Sequence, residues 1–118
     1  MKFLDLSVPQ FGLPVYDWIV SIEVAEHIPA KFEHIYLDNI ARHAREGVLI
    51  SWAVPGQVGW QHVNCRPFSY VRDRMRELGF DHDEKTSIKI KRNAPITLKK
   101  NLNVFVRNSP DQTIGIFS

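Results

Sequence analysis

The sequence predicts an α/β fold in which two parallel strands flank a helix and an antiparallel strand pair ends the domain. Three observations support this prediction. Two apolar runs rich in β-branched and aromatic residues, 16–23 and 48–54, are typical of buried strands. An amphipathic helical period fills the interval between them. A second helical period and two further strand-like runs follow, and no helix is expected between those two runs.

The first half of the chain predicts a strand–helix–strand unit. The strand over 16–23 is apolar enough that we expect burial on both of its faces. Pro29 suits the first turn of the next helix, where a missing N–H removes no hydrogen bond. Gly47 is placed to end that helix in a left-handed cap, and the strand over 48–54 follows directly. Short joints of this kind predict a right-handed crossover and parallel strands. The apolar stripe of the helix contains Phe32, Ile35, Tyr36, Ile40, Ala41 and Ala44.

The second half predicts a helix followed by two strands. Pro67 opens the helix and Gly79 ends it. Residues 87–91 alternate apolar and polar side chains, which is typical of a strand with one exposed face. The last strand is expected over 102–107, antiparallel to the one before it. We expect the tail, 108–118, to be loosely held.

Length and composition set the class of protein. The chain has 118 residues, enough for one domain, so we treat 1–118 as a single domain. Its lone cysteine, Cys65, excludes an internal disulfide and favours a reducing compartment, so we expect a cytoplasmic location. No apolar run is long enough to span a bilayer, and we expect no membrane partner.

Charge is divided unevenly along the chain. Residues 1–65 hold four Lys and Arg against seven Asp and Glu, whereas residues 66–107 hold eleven against five. The basic half favours either a solvated surface or an anionic partner such as a nucleic acid. The cations that would contact a nucleic acid are Arg72, Arg74, Arg76, Lys89 and Lys91.

Ionisable residues gather where the first strand is expected to end. Glu23, Glu26 and His27 are spaced so that, if the turn after the strand is helical, all three project to nearly the same side. Ligands of open α/β sheets bind beyond the carboxyl ends of the strands. This set suits a divalent cation, with His62 as a ligand from the next loop, or acid–base catalysis by His27. A solvated helix start is equally compatible with the spacing.

Residues 17–29 read DWIVSIEVAEHIP, and residues 47–56 read GVLISWAVPG. These two segments resemble the second half of class I S-adenosylmethionine-dependent methyltransferases. In that family the fourth strand often ends in a Glu-Val-x-Glu-His-like signature, and the fifth follows a glycine and ends near a proline. The resemblance covers roughly residues 3–107 and implies a partial Rossmann-like methyltransferase fold.

The resemblance also implies a set of site residues. The family's Asp-Leu pair that contacts the adenine of S-adenosylmethionine is matched by Asp5 and Leu6. The strand end that lines the methionine part of the cofactor is matched by Ser21, Ile22 and Glu23. The catalytic residues implied are Glu26, His27 and His62. A divalent metal, Mg²⁺ or similar, would be held by Glu23, Glu26, His27 and His62.

The family's first three strands and its glycine-rich turn have no counterpart in this sequence. The resemblance therefore implies a truncated domain that lacks about half of the cofactor contacts and has an exposed sheet edge. We expect a methyltransferase acting on a hydroxyl of a small molecule or a nucleic acid, whose activity alone is in doubt. The alternative is a non-catalytic interaction or scaffold module, completed by a partner chain of the same or another kind.

Overall fold

The computed structural model describes residues 15–57, 62–96 and 98–108, which build one four-stranded sheet with helices packed against it. The strands are β1 (Tyr16–Ser21), β2 (Ala44–Ser51), β3 (Phe80–His82) and β4 (Leu102–Arg107). The helices are α1 (Glu33–His43), α2 (Phe68–Glu77) and α3 (Glu84–Arg92). The strand order is β1-β2-β4-β3, with β1 and β2 parallel and β4 antiparallel to both of its neighbours. The predicted fold class is confirmed.

β1, α1 and β2 form the predicted strand–helix–strand unit. A single 3-10 turn, Ala30–Phe32, leads into α1. The inward face of α1 carries Tyr36 and Ile40, which belong to one buried cluster with Val48 and Ile50 of β2. Each buried side chain of this size contributes about 1.5–3 kcal/mol, so this face holds the helix on the sheet.

Gly47 is not the helix cap that its position in the sequence predicted. α1 ends at His43, and β2 begins at Ala44 without an intervening loop. Gly47 lies inside β2, opposite Trp18 of β1. A Cβ added there would lie 2.5 Å from Cη2 of Trp18 and 2.7 Å from the carbonyl oxygen of Phe105. A glycine is needed because an indole and a neighbouring strand approach the backbone closely.

The end of α2 agrees with the sequence. α2 stops at Glu77, and Gly79 has φ +94°, the left-handed conformation expected of a helix cap. The chain then enters β3, which pairs antiparallel with β4. The antiparallel strand pair is therefore present, but its first member is 80–82 and not 87–91.

The strand predicted over 87–91 is wrong, because these residues belong to α3. Asp83 caps this helix, and its Oδ1 accepts a hydrogen bond from the backbone N–H of Thr86 at 3.1 Å. Ser87 is buried, and its hydroxyl accepts from the N–H of Val104 in β4 at 2.8 Å. A five-residue alternation cannot by itself distinguish a strand from a helix that is fixed by a cap and a tertiary contact.

The prediction that β1 is buried on both faces is also wrong. One face packs Ile19 against the cluster that α1 and α2 share. The opposite face presents the side chains that we call the β1 apolar surface: Tyr16, Trp18, Val20 and Ile22, with 40, 45, 62 and 37% exposure. In the described part of the chain, no helix covers this face and no strand pairs with the outer edge of β1.

Among the helices described, none has both the length and the apolar character needed to cross a membrane.

Candidate functional site

The carboxyl ends of β1 and β2 lie side by side and are tied together beyond the last sheet pairs. The backbone N–H of Glu23 donates to Oγ of Ser51 at 2.6 Å. The backbone N–H of Ala53 donates to Oε1 of Glu26 at 3.2 Å. These two bonds hold the segment after β1 against the segment after β2, at the edge where open α/β sheets bind ligands.

Glu23 has an unusual backbone conformation at this edge. Its φ is +57°, in the left-handed region, which costs a non-glycine residue about 1–2 kcal/mol. The helical turn that follows spans only Ala25–His27, so Glu23 lies outside it. The condition under which Glu23 and His27 would project to one side is therefore not met. The Glu23 side chain is exposed to solvent.

Glu26 is turned inward and joins three segments. Only 2% of the residue is exposed. Its Oε1 accepts a hydrogen bond from the backbone N–H of Ala53. Its backbone carbonyl accepts from the N–H groups of Val63 at 2.9 Å and Asn64 at 3.0 Å. Its second carboxylate oxygen is buried without a hydrogen-bond partner among the described residues. Glu26 thus fastens the turn after β1 to both described parts of the loop after β2.

His27 and His62 are the two predicted site residues that the structure brings into direct contact. Their ring centroids are 5.0 Å apart, with an edge-to-face angle of 70°. Nδ1 of His62 lies 3.3 Å from the carbonyl oxygen of Gln57. Because a carbonyl only accepts, Nδ1 is the donor in this contact, and Nε2 is the ring nitrogen that remains for another partner.

Two groups near Glu26 are kept protonated. Ser21 and Tyr36 share a buried 2.7 Å hydrogen bond between their hydroxyls. Burial raises the pKa of Tyr36 well above its ordinary value, against the lowering effect of the Ser21 hydrogen bond, and the charge of Glu26 adds to the rise. Burial and then the charge of Glu26 also raise the pKa of the Cys65 thiol. A thiol of raised pKa is a poor nucleophile, so Cys65 is not a candidate for covalent chemistry.

The predicted metal site is not assembled in the described part of the chain. No group of three or more His, Cys, Asp or Glu side chains there is placed to hold an ion. Glu23 faces solvent while Glu26 faces the interior, so the set Glu23, Glu26, His27 and His62 does not converge. The predicted adenine contacts, Asp5 and Leu6, lie outside the described residues.

A polar cluster that the sequence did not signal supports the loop after β2. The buried carboxylate of Glu33 accepts from Asn64 Nδ2 at 2.9 Å, from Arg66 Nε at 3.0 Å and from the hydroxyl of Tyr70. Burial and the Glu33 hydrogen bond raise the pKa of Tyr70. The start of α1, the loop and α2 are joined by this carboxylate. A glutamate off the apolar stripe of a helix gives no sequence signal for such a role.

The fold is that of the methyltransferase-like α/β class, and comparison with solved structures agrees. Magnesium protoporphyrin IX methyltransferase from Synechocystis PCC 6803 with bound SAH is similar at TM-score 0.62 and 17% identity, over 88% of this chain and 49% of that one. Its SAM-bound form is similar at TM-score 0.57 and 18% identity, over 88% of this chain and 43% of that one. A pericyclic reaction enzyme is similar at TM-score 0.50 and 12% identity, over 87% of this chain and 28% of that one.

No protein-family model and no curated protein matches the chain. The chain spans about half the length of the two methyltransferase structures. At these identities the likeness establishes the fold alone, and one fold carries many chemistries.

Proposed function

We propose that this chain takes part in methyl transfer from S-adenosylmethionine. The main support is the likeness of the fold, over 88% of the chain, to a methyltransferase with bound SAH. The side chains at the carboxyl edge of β1 and β2 are compatible with this chemistry. Because the chain spans about half of that enzyme, the proposal concerns the half of the site that this chain contributes.

The end of β1 fits a cationic methyl donor. Ile22 and Glu23 are exposed there and offer one apolar side chain and one carboxylate. A carboxylate attracts a sulfonium centre. Strained non-glycine backbone, as at Glu23, is found preferentially at binding sites. When bound, S-adenosylmethionine supplies an electrophilic methyl group. We assign contacts with the donor to Ile22, Glu23 and the backbone of Ser21, whose hydroxyl is buried against Tyr36. Asp5 and Leu6, which lie outside the described residues, are assigned to the adenine.

The two imidazoles suit the proton that a hydroxyl acceptor must lose. Nδ1 of His62 faces the Gln57 carbonyl, which leaves Nε2 to take up that proton, and His27 lies beside it. Because Glu26 is buried, we assign it to holding the loops around His27 and His62. In this proposal Glu26 is a positioning residue, and the acceptor is a hydroxyl of a small molecule or a nucleic acid. No metal is part of it.

Calorimetry with the donor and its product tests the proposal. S-adenosylmethionine carries a positive sulfonium, and S-adenosylhomocysteine carries a neutral thioether. Glu23→Gln should therefore weaken the first ligand about fivefold, since unit charges 4 Å apart in water interact by about 1 kcal/mol, and leave the second nearly unchanged. The matched control is Glu46→Gln, an exposed glutamate of β2 remote from the carboxyl edge, which should change neither affinity.

Two results would contradict the proposal. One is that neither ligand binds the wild-type chain at millimolar concentration. The other is that Glu23→Gln and Glu46→Gln weaken both ligands equally, because the carboxylate would then have no specific contact with the sulfonium.

A second candidate function is supported by the β1 apolar surface. Four exposed apolar side chains beside an open strand edge favour an interaction module whose sheet is completed by another chain. On this view the methyltransferase-like fold serves as a non-catalytic scaffold. A folded chain that binds neither ligand, but associates through β1, would favour this candidate.

A further inference from the structure

Among the described residues, the strand β1 lacks partners in two directions at once. Its outer edge has no neighbouring strand in the described part of the chain, so a row of backbone N–H and C=O groups is open for pairing. Its helix-free face carries Tyr16, Trp18, Val20 and Ile22, which are all more than a third exposed. An edge of this kind is a template for pairing with another strand.

Charge does not oppose contact with an identical strand. Asp17 is the sole charged residue of β1, and its Oδ1 pairs with Nη1 of Arg45 at 3.1 Å. In natural sheets, charged side chains on the edge strand, especially lysine, prevent that strand from pairing with another chain. β1 carries no lysine, and its single carboxylate is already paired.

We propose that β1 is a self-association surface that pairs antiparallel with β1 of a second copy of this chain. In the pairing that we assign, Ile19 lies opposite Ile19 of the second copy. Trp18 then faces Val20 of the second copy, and Tyr16 faces its Ile22. The two-fold axis repeats both pairs, so every member of the β1 apolar surface gains an apolar neighbour. Pairs of aromatic and β-branched side chains are among the favourable cross-strand combinations.

The register is limited by the pleat and by charge. Directly opposite residues of two paired strands must point to the same face of the sheet. The two β1 strands can therefore slide past each other only in steps that keep Trp18 and Val20 opposite side chains of their own face. With Ile19 at the centre, Asp17 faces Ser21 of the second copy, and no like charges meet. Centring the pair on Val20 would place Asp17 opposite Glu23, which is unfavourable. Ile19 is therefore the preferred centre.

This inference deepens the second candidate function by naming the partner. Its test uses no cofactor, so a failure of self-association is distinguishable from a failure of methyl transfer. A six-residue edge is at the small end of interface sizes, so association is expected to be weak and must be measured across about 20–400 μM protein.

Size-exclusion chromatography with light scattering gives the decisive measurement. The wild-type mass should rise from 13.7 kDa toward twice that value as concentration increases. Val20→Lys should remain at 13.7 kDa, because pairing would remove the charge of an edge-strand lysine from water, which is how natural sheet edges prevent association. Val63→Lys is the matched control, since Val63 is 61% exposed against 62% for Val20 and lies outside β1. It should associate like wild type, and circular dichroism should confirm that both variants are folded.

A wild-type chain that stays monomeric at the highest concentration would overturn the inference, as would equal masses for the two lysine variants at every concentration. The register has its own test in a Cys65→Ser background. A mixture of Trp18→Cys and Val20→Cys chains should form the mixed disulfide, because directly opposite antiparallel residues are within disulfide reach. A dimer that forms no mixed disulfide would overturn the assigned register.

Discussion

Replacing Gly47 by alanine should destabilise the protein by about 1–2 kcal/mol. The new Cβ would lie 2.5 Å from Cη2 of Trp18 and 2.7 Å from the carbonyl oxygen of Phe105, well inside the usual carbon contact distance of about 3.5–4.0 Å. Trp18 is 45% exposed, and its ring can move. The Phe105 carbonyl belongs to the β4 backbone and cannot move without disturbing the pairing with β2. Overpacking costs about 1–3 kcal/mol of stability. Alanine loses less backbone entropy on folding than glycine does, which offsets about 0.5–1 kcal/mol of that cost.

Urea unfolding at low protein concentration measures this cost. In a Trp18→Ala background, Gly47→Ala should cost less than in wild type, because the ring is gone, but still more than zero, because the Phe105 carbonyl remains. A Gly47→Ala protein as stable as wild type would refute the close approach of β1 and β4 to this residue. Loss of the whole penalty in the Trp18→Ala background would refute the role of the carbonyl.

Three further variants test other parts of the structure. Asp83→Ala should lower the free energy of unfolding by about 0.5–2 kcal/mol by removing the cap of α3. Hydrogen bonds from the Thr86 side chain and backbone hold the pKa of Asp83 below its ordinary range. The charge-dependent part of this cost should therefore be full at neutral pH and disappear as pH falls through the lowered folded pKa, as acid titration of both proteins would show. Ser87→Ala should cost about 1–3 kcal/mol in urea unfolding, because a buried N–H of β4 loses its acceptor. Cys65 should react with iodoacetamide more slowly in the folded chain than in the unfolded chain, and Glu26→Gln should speed the folded reaction; equal folded rates would contradict the effect of the Glu26 charge.

Local signals predicted much of the fold. Gly79 marks the end of α2 because a glycine directly after an apolar stripe favours a left-handed cap, and its φ of +94° agrees. Gly47 was likewise predicted to cap α1, but in the structure it lies inside β2, opposite Trp18. The difference is made by Trp18, whose contact across the sheet cannot be read from neighbouring residues.

Long-range contacts also explain why the strand predicted over 87–91 and the burial predicted for both faces of β1 are wrong. In α3, Ser87 is buried by its hydrogen bond to β4, which overrides a short alternation that suits a strand. The apolar composition of β1 predicts burial of both of its faces, but composition does not say whether a helix or strand covers each face. The described part of the chain has none on the face of Trp18 and Val20.

The juxtaposition of the ends of β1 and β2 was predictable, but the direction of the side chains there was not. Two adjacent parallel strands end at the same edge of the sheet, which is where open α/β sheets bind ligands. Which carboxylate faces solvent depends on the left-handed backbone of Glu23, which its sequence context does not signal. Glu26 is drawn inward by the N–H of Ala53, which lies 27 residues away along the chain.

Titration of ¹⁵N-labelled protein with S-adenosylmethionine, followed by amide chemical shifts, tests the proposed contact between the methyl donor and the carboxyl edge of β1 and β2. We predict that the largest shifts occur at Ser21, Ile22 and Glu23, with the amides of α3 unchanged. Unchanged amides at the end of β1 at millimolar ligand, or larger shifts in α3 than at that edge, would contradict the claim.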